Sequence, residues 1–350
     1  MRSPCSTSLP PGKAGWRAVL PLVLAALVLA ACRGSGSQDL VTPTDMETLA
    51  YATVTPSPAP EPQQVLLVLP PGSEDDFSRR LEAAIQQLGE RDSLVVQKVS
   101  DLPAKFDESQ RTIIMIYPDE SFLAVVRRYP DRTFIAVAAE SLPAEPNMWI
   151  LGNSGSGMDQ AAFLSGYIAA MLTPDWRIGA LQSFETRGGR QLDRAFINGG
   201  VFFCGLCRPA FPPYFSYPAY VALNELSDRS ARAALVTAEE MGLQVVWVAP
   251  ELRPLLDALQ LPAGFSFLGT SEPSSNLAGS WIATVRPAPE QRLEELWEAI
   301  LAGAPAELVP IPIVIENVNS SVLTPGRLGQ ADQIRLELEK GYIGTGAIEE

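Results

Sequence analysis

Cys204-Gly205-Leu206-Cys207 has the spacing of a redox-active pair, since two thiols separated by two residues can close a disulfide and exchange it with a partner. Exchange requires a depressed thiol pKa, which the N-terminus of a helix following a strand supplies. Here the order is reversed: a helical stretch over 190–203 precedes the pair and a Pro-rich loop, 208–218, follows it. A structural bridge clamping that turn is the simpler reading in an oxidising compartment, with an extracytoplasmic thiol-disulfide protein as the alternative. Histidine is absent from the chain, which removes Ser-His-Asp and Cys-His catalysis and every metal site that needs an imidazole. Glu290, Glu294, Glu295 and Glu298 with Arg292 form a solvated helix face, and Gly188-Gly189 and Gly199-Gly200 lack the surrounding residues of a phosphate loop. No catalytic residue, cofactor or metal is expected.

The other chemically distinctive cysteine is Cys32. Arg2, Lys13 and Arg17 precede an apolar run over 18–31 that ends Leu29-Ala30-Ala31, the order of a secretory signal. The run falls short of the roughly 20 residues that cross a bilayer. The small residues before Cys32 resemble a bacterial lipobox, which implies cleavage before Cys32, acylation of its thiol and a cell-membrane, extracytoplasmic location. Residues 1–31 are therefore read as signal and 32–64 as a lipidated cysteine with a Gly, Ser and Pro-rich tether. Formal charge is −14, and loss of the three basic signal residues leaves −17. Such a chain repels nucleic acid and anionic lipid surfaces alike, so the expected partners are a small molecule and, through the lipid anchor alone, a membrane.

These residues must be positioned by an α/β scaffold. Short apolar runs, QVLLVL at 64–69, SLVVQKV at 93–99, TIIMIY at 112–117 and TFIAVAA at 133–139, alternate with helical spacings, and Gly89 is expected to end the first helix. Strands apolar throughout belong to parallel sheets covered on both faces. The pattern restarts at RIGAL (177–181) and continues through AYVAL (219–223), QVVWV (244–248), a helix at 251–259, FSFL (265–268) and SWIATV (280–285). VPIPIVI (309–315) reads as one strand confined by Pro310 and Pro312 to an edge or an interlobe connection. The expected fold is two doubly wound parallel-sheet lobes, 65–175 and 176–305, with an interlobe cleft and a return segment, 306–350. Ligands in such sheets lie at the carboxyl ends of the strands. That selects Asp76, Phe77, Tyr117, Asp119, Phe184, Asn224, Glu225 and Glu272, together with Ser73, Ser183 and Ser271. The aromatic and Pro-rich segment over 208–218 reads as a lid on the cleft or a docking surface.

The stretches VVRRYPDRTF (125–134), MDQAAFLSGYIAAM (158–171) and RIGAL, with Asp76-Phe77 and SDRSA (227–231), resemble the basic membrane protein family. The resemblance follows element order over most of 65–346 and is most specific at 158–171. It implies the type I periplasmic-binding-protein fold, a lipid anchor, an ABC permease as partner and a nucleoside-like ligand stacked on aromatic side chains. Phe77 falls at the family's aromatic position with Asp76 beside it. Ala138, Leu226 and Ala249-Pro250-Glu251 stand where the family carries an acid, an aromatic and an acidic loop. A ligand-sensing lipoprotein without a transport role is the alternative on the same fold.

Overall fold

A computed structural model describes residues 63–152, 155–183, 189–259 and 264–347. In chain order the elements are β1 (Gln64–Val68), α1 (Asp76–Arg91), β2 (Val95–Val99), β3 (Gln110–Ile116), α2 (Glu120–Arg128), β4 (Thr133–Val137) and β5 (Met148–Leu151). Next come α3 (Met158–Leu172), β6 (Ile178–Ser183), α4 (Gly189–Cys204), β7 (Ala219–Leu223), α5 (Asp228–Glu240), β8 (Val245–Val248) and α6 (Arg253–Asp257). The last are β9 (Ser266–Gly269), β10 (Trp281–Pro287), α7 (Pro289–Leu301), β11 (Leu308–Val309), β12 (Ile313–Glu316) and α8 (Pro325–Glu339).

The strands form two six-stranded sheets, ordered β11-β5-β4-β3-β1-β2 and β12-β10-β9-β8-β6-β7. All neighbours are parallel except β12, which runs antiparallel to β10. The two sheets repeat one winding: β1 sits between β2 and β3 as β6 sits between β7 and β8. Continuous apolar strands such as β5 and β8 are buried along their whole length because helices cover both faces. This is the two-lobed, type I periplasmic-binding-protein-like α/β fold expected from the sequence.

Sequence position does not decide which lobe a helix joins. Helix α3, expected in the first lobe, buries Phe163, Leu164 and Ile168 in one core with Ile178 of β6, Trp247 of β8 and Val285 of β10, so it belongs to the second. Helix α7, expected in the second, buries Leu293, Trp297 and Ile300 against Leu81 and Ile85 of α1 and Ile114 of β3. Trp297 also donates its indole N–H to Asp92, at 2.7 Å. The boundaries 65–175 and 176–305 are corrected accordingly: the chain leaves the first sheet after β5, returns after β10 for α7 and β11, and crosses once more to β12.

Smaller expectations are also corrected. Helix α1 continues through Gly89 to Arg91, and an added Cβ at Gly89 would meet Val96 Cγ2 at 2.5 Å, so this glycine marks close strand packing rather than a stop. The helix at 251–259 is a 3-10 turn, Pro250–Leu252, followed by the short α6. VPIPIVI divides into β11 and β12, one on the edge of each sheet, because Pro310 and Pro312 cannot donate to a ladder. Helix α8 was not anticipated; only Ala331, Ile334 and Leu338 are buried, while Leu336 is exposed, so its hydrophobic face is faint in the sequence. Among the described residues no helix is long and apolar enough to cross a membrane.

The three crossings lie side by side. Gly152 N–H donates to Val309 carbonyl (2.9 Å) and Ala288 N–H to Pro312 carbonyl (2.8 Å). Gly152 has φ +75°, and a Cβ there would lie 2.7 Å from both Gly155 carbonyl and Ile311 Cδ1, so only glycine fits the crossing. The buried guanidinium of Arg286, near the end of β10, pairs with Glu290 of α7 (2.6 Å) and donates twice to Glu316 of β12 (3.0 Å each). One cation thus ties the outgoing crossing to the returning one.

Candidate functional site

The crossings fix how the sheets face each other. β5 and the parallel β11 end at them, as does β10, so the carboxyl ends of both sheets point toward the seam between the lobes and their amino ends point away. In each sheet the winding reverses beside the first strand, between β1 and β3 and between β6 and β8, which is where doubly wound sheets open a ligand crevice.

At the first reversal the loops after β1 and β3 meet. Asp75 is the N-cap of α1, accepting from Ser78 N–H (2.8 Å) with one carboxylate oxygen and from the Tyr117 hydroxyl (2.8 Å) with the other. Tyr117 occupies the left-handed region at φ +52°, an uncommon backbone for an aromatic residue, and its amide is held by Val137 carbonyl at 2.9 Å. Its ring stacks on Phe77, with centroids 5.7 Å apart and planes inclined by 26°. Both rings are half-buried against the core of the first lobe. Phe77 therefore serves the core and the seam together. Ser73 is buried and closes the turn after β1, its hydroxyl donating to Pro70 carbonyl.

Asp76, the first residue of α1, is paired with Arg80 (3.0 Å) and Arg79 (3.3 Å). Burial pushes its carboxyl pKa up, but the hydrogen bond and charge of Arg80, then those of Arg79, outweigh that and hold it below the ordinary carboxylate value. Arg80 also reaches across the seam to Glu272, on the loop after β9, with Nη2 4.0 Å from Oε1. Asp76, Arg80 and Glu272 form one line of alternating charge across the seam between the two sheets.

The remaining candidates are dispersed. Asp119 caps α2, accepting from Ser121 N–H (2.9 Å) and its hydroxyl (2.5 Å); those bonds, the Ser121 hydroxyl foremost, lower its pKa, and its carboxylate is exposed. Asn224 and Glu225 are exposed at the end of β7, beyond the reversal, and Glu225 accepts from the Ser227 hydroxyl at 2.8 Å. Ser271 is buried, its carbonyl accepting from Thr284 at 3.0 Å; Trp281 and Asn317 both donate to the same Thr284 oxygen. Ser183 is fully buried at the end of β6. Phe184 lies outside the described residues. The structure thus brings together Asp76, Phe77, Tyr117 and Glu272, and adds Asp75 and Arg80, which sequence reasoning passed over. The signal for Asp75 was its place directly before the helix, where a carboxylate can cap, and that for Arg80 its place four residues after Asp76.

Cys204 is the last residue of α4, and its sulfur is joined to that of Cys207, with Cα atoms 5.2 Å apart. Cys207 is buried. The helix end there presents carbonyls, which disfavour a thiolate. The segment over 208–218 packs against Asp175, Arg177 and Met241, at the amino ends of β6 and β8, so the lid reading is corrected: it lies at the end of the second lobe remote from the cleft. Among the described residues no cluster of three or more Cys, Asp or Glu is arranged to hold a metal.

No family model matches the chain, and no curated sequence does. Its fold is similar to that of several solved structures. An ABC transporter solute-binding protein from Conexibacter woesei DSM 14684 superposes with a TM-score of 0.56 at 18% identity, covering 81% of this chain and 98% of that one. An ABC transporter solute-binding protein from Aeropyrum pernix K1 gives 0.53 at 11% identity, covering 82% and 88%. A transcriptional activator of the comK gene from Bacillus halodurans also gives 0.53, at 14% identity, covering 80% and 98%.

Proposed function

We propose that this chain is a membrane-anchored, extracytoplasmic solute-binding protein that captures a small molecule between its lobes by hinge closure and delivers it to an ABC permease. The observation that carries the reading is the opposition of two sheet reversals across a seam bridged by Arg80 and Glu272. The Conexibacter and Aeropyrum neighbours, described as ABC solute-binding proteins, support it. Phe77 and Tyr117 offer an aromatic platform, and Asp75 beside them offers an acceptor for ligand hydroxyls, a combination that suits a planar ring carrying a polyol, as in a nucleoside. The signal-like order of residues 1–31 and the resemblance of residues 29–32 to a lipobox support the location. A protein of this kind breaks no bond, and the placement of Cys204 at a helix C-terminus favours binding over thiol exchange.

A second reading, a ligand sensor that signals without transport, has the comK activator's fold in its favour. Both use the cleft. Thermal-shift screening of the chain without residues 1–31 against nucleosides, bases, sugars and amino acids tests the shared claim. A ligand at about 100 times its Kd should add roughly 2.7 kcal/mol to stability, several degrees in Tm. Phe77→Ala should abolish the shift. Silence from every class would remove the binding reading, and a binder that fails to co-purify with a permease would favour the sensor.

A further inference from the structure

At the end of the second lobe remote from the cleft the chain displays an unusual surface. Phe202, Leu206, Phe211, Tyr214 and Phe215 are all exposed, Leu206 by 78% and Phe211 and Tyr214 by 71% each. The patch is continuous: Phe202 and Phe203 lean on Tyr167, Phe203 on Trp176, and Arg177 next in the chain donates to the carbonyls of Phe211 (2.7 Å) and Pro212 (3.1 Å). It is also held firmly. Ala210 N–H donates to Asp175 at 2.8 Å, the Tyr217 hydroxyl donates to Met241 carbonyl, and the Cys204–Cys207 bridge closes the turn that presents Leu206. Three main-chain groups of the loop and the Tyr217 hydroxyl are bonded inward while Phe211, Tyr214 and Phe215 stay exposed, so the apolar exposure is built into the fold.

Charge distinguishes this surface from the rest of the molecule. In a chain of net charge −14, the stretch 194–224 contains no Asp or Glu and carries Arg194 and Arg208. Asp175 beneath the loop is neutralised by Arg177 at 2.8 Å, and the bordering acids are Glu239 and Glu240, at the end of α5 just before Met241, and Glu337 of α8, whose charge acts on Tyr167. Exposed Phe, Tyr and Leu beside an Arg, here Arg208, are residues that settle at a lipid–water interface, where a ring buries its face and a hydroxyl or guanidinium stays with the headgroups.

We propose that this patch is a second, peripheral contact with the lipid surface, docking the outer end of the second lobe on the bilayer to which Cys32 anchors the chain. The inference rests on the membrane-anchored reading above for the anchor alone. Thirty residues lie between Cys32 and Gln63; a chain of that length can span at most about 100 Å, against a folded diameter of about 50 Å, so either end of the molecule can turn to the membrane. Tethering turns a weak patch into an effective one, because the local concentration of lipid is set by the linker rather than by bulk solution. In the docked state the molecule lies with the second lobe against the headgroups and the cleft above them.

The test couples the chain beginning at Cys32, through that thiol, to maleimide-headgroup lipid in phosphatidylcholine vesicles made with or without brominated acyl chains. Phe211→Trp supplies the reporter in a Trp176→Phe background, because Trp176 is half-buried at the edge of the patch itself; Trp149, Trp247, Trp281 and Trp297 are buried and remain dark to the quencher. Brominated lipid should quench the added emission by about half, as expected of a ring at the acyl boundary. Leu206→Glu with Tyr214→Glu, both on exposed positions, should abolish the quenching while leaving the Tm and any thermal shift by solute unchanged. Quenching that is absent, or that survives the double substitution, would overturn the proposal. So would sedimentation showing a dimer of the uncoupled protein that the double substitution dissociates, which would assign the patch to a second copy. Loss of solute binding in every variant, with quenching intact, would count against the transport reading and not against this one.

Discussion

Asp76 is the residue where charge and position act together. Its carboxyl is stabilised as the anion by Arg80 and Arg79 against the opposing effect of burial, so its pKa in the folded chain lies below the ordinary value of 3.8. A depressed carboxyl stabilises the fold above the unfolded pKa, and the contribution is lost as pH falls through the folded one. Asp76→Asn should therefore cost about 0.5 kcal/mol at neutral pH, the scale of a partly exposed helix pair, and less as the pH is lowered toward 2. Urea unfolding at the two pH values reads this; an equal loss at both would show that the carboxylate charge is not what matters. Asp76 and Phe77 were legible in the sequence because a capped helix after a buried strand is a strong local pattern. Tyr117 was legible only as a position. Its φ of +52° and its bond to Asp75, 42 residues away, are tertiary facts.

Among the elements, the closest packing joins α3 to α4. Gly166 and Gly199 sit where the helices touch: a Cβ on Gly199 would fall 1.8 Å from Phe163 carbonyl, and one on Gly166 would fall 2.0 Å from Phe196 carbonyl. Both obstacles are helix backbone, which cannot rotate aside. Gly199→Ala should destabilise by about 1–3 kcal/mol despite the better helix propensity of alanine, whereas Gly326→Ala in α8, with open space at its Cβ, should be neutral or slightly stabilising. Chemical denaturation of the pair decides it, and an unchanged midpoint for Gly199→Ala would refute the contact. That glycines permit close packing in α3 was readable from its composition. Which helix came close was not, because α3 is apolar on nearly every side and its sequence singles out no face.

At the scale of the molecule, closure is governed by the seam. Arg80 and Glu272 face each other over 4.0 Å with Glu272 largely exposed, so the pair contributes modestly, about 0–1 kcal/mol. Glu272→Lys replaces that attraction with repulsion and should shift the lobes toward an open form, raising the radius of gyration in small-angle scattering and weakening solute binding by about two- to fivefold at low salt, less at high salt. A scattering profile identical to the parent's, in the presence and absence of ligand, would show that the contact does not influence closure. The sequence by itself determined the doubly wound α/β units, their repetition and the location of the strand ends, because each rests on local periodicity and on short turns. The exchange of α3 and α7 between lobes, the division of VPIPIVI into two edge strands and the pairing of Arg80 with Glu272 were decided only in the tertiary structure. They depend on which apolar faces meet after the chain has crossed the seam three times, and on charges brought together from 192 residues apart, neither of which leaves a mark on neighbouring residues.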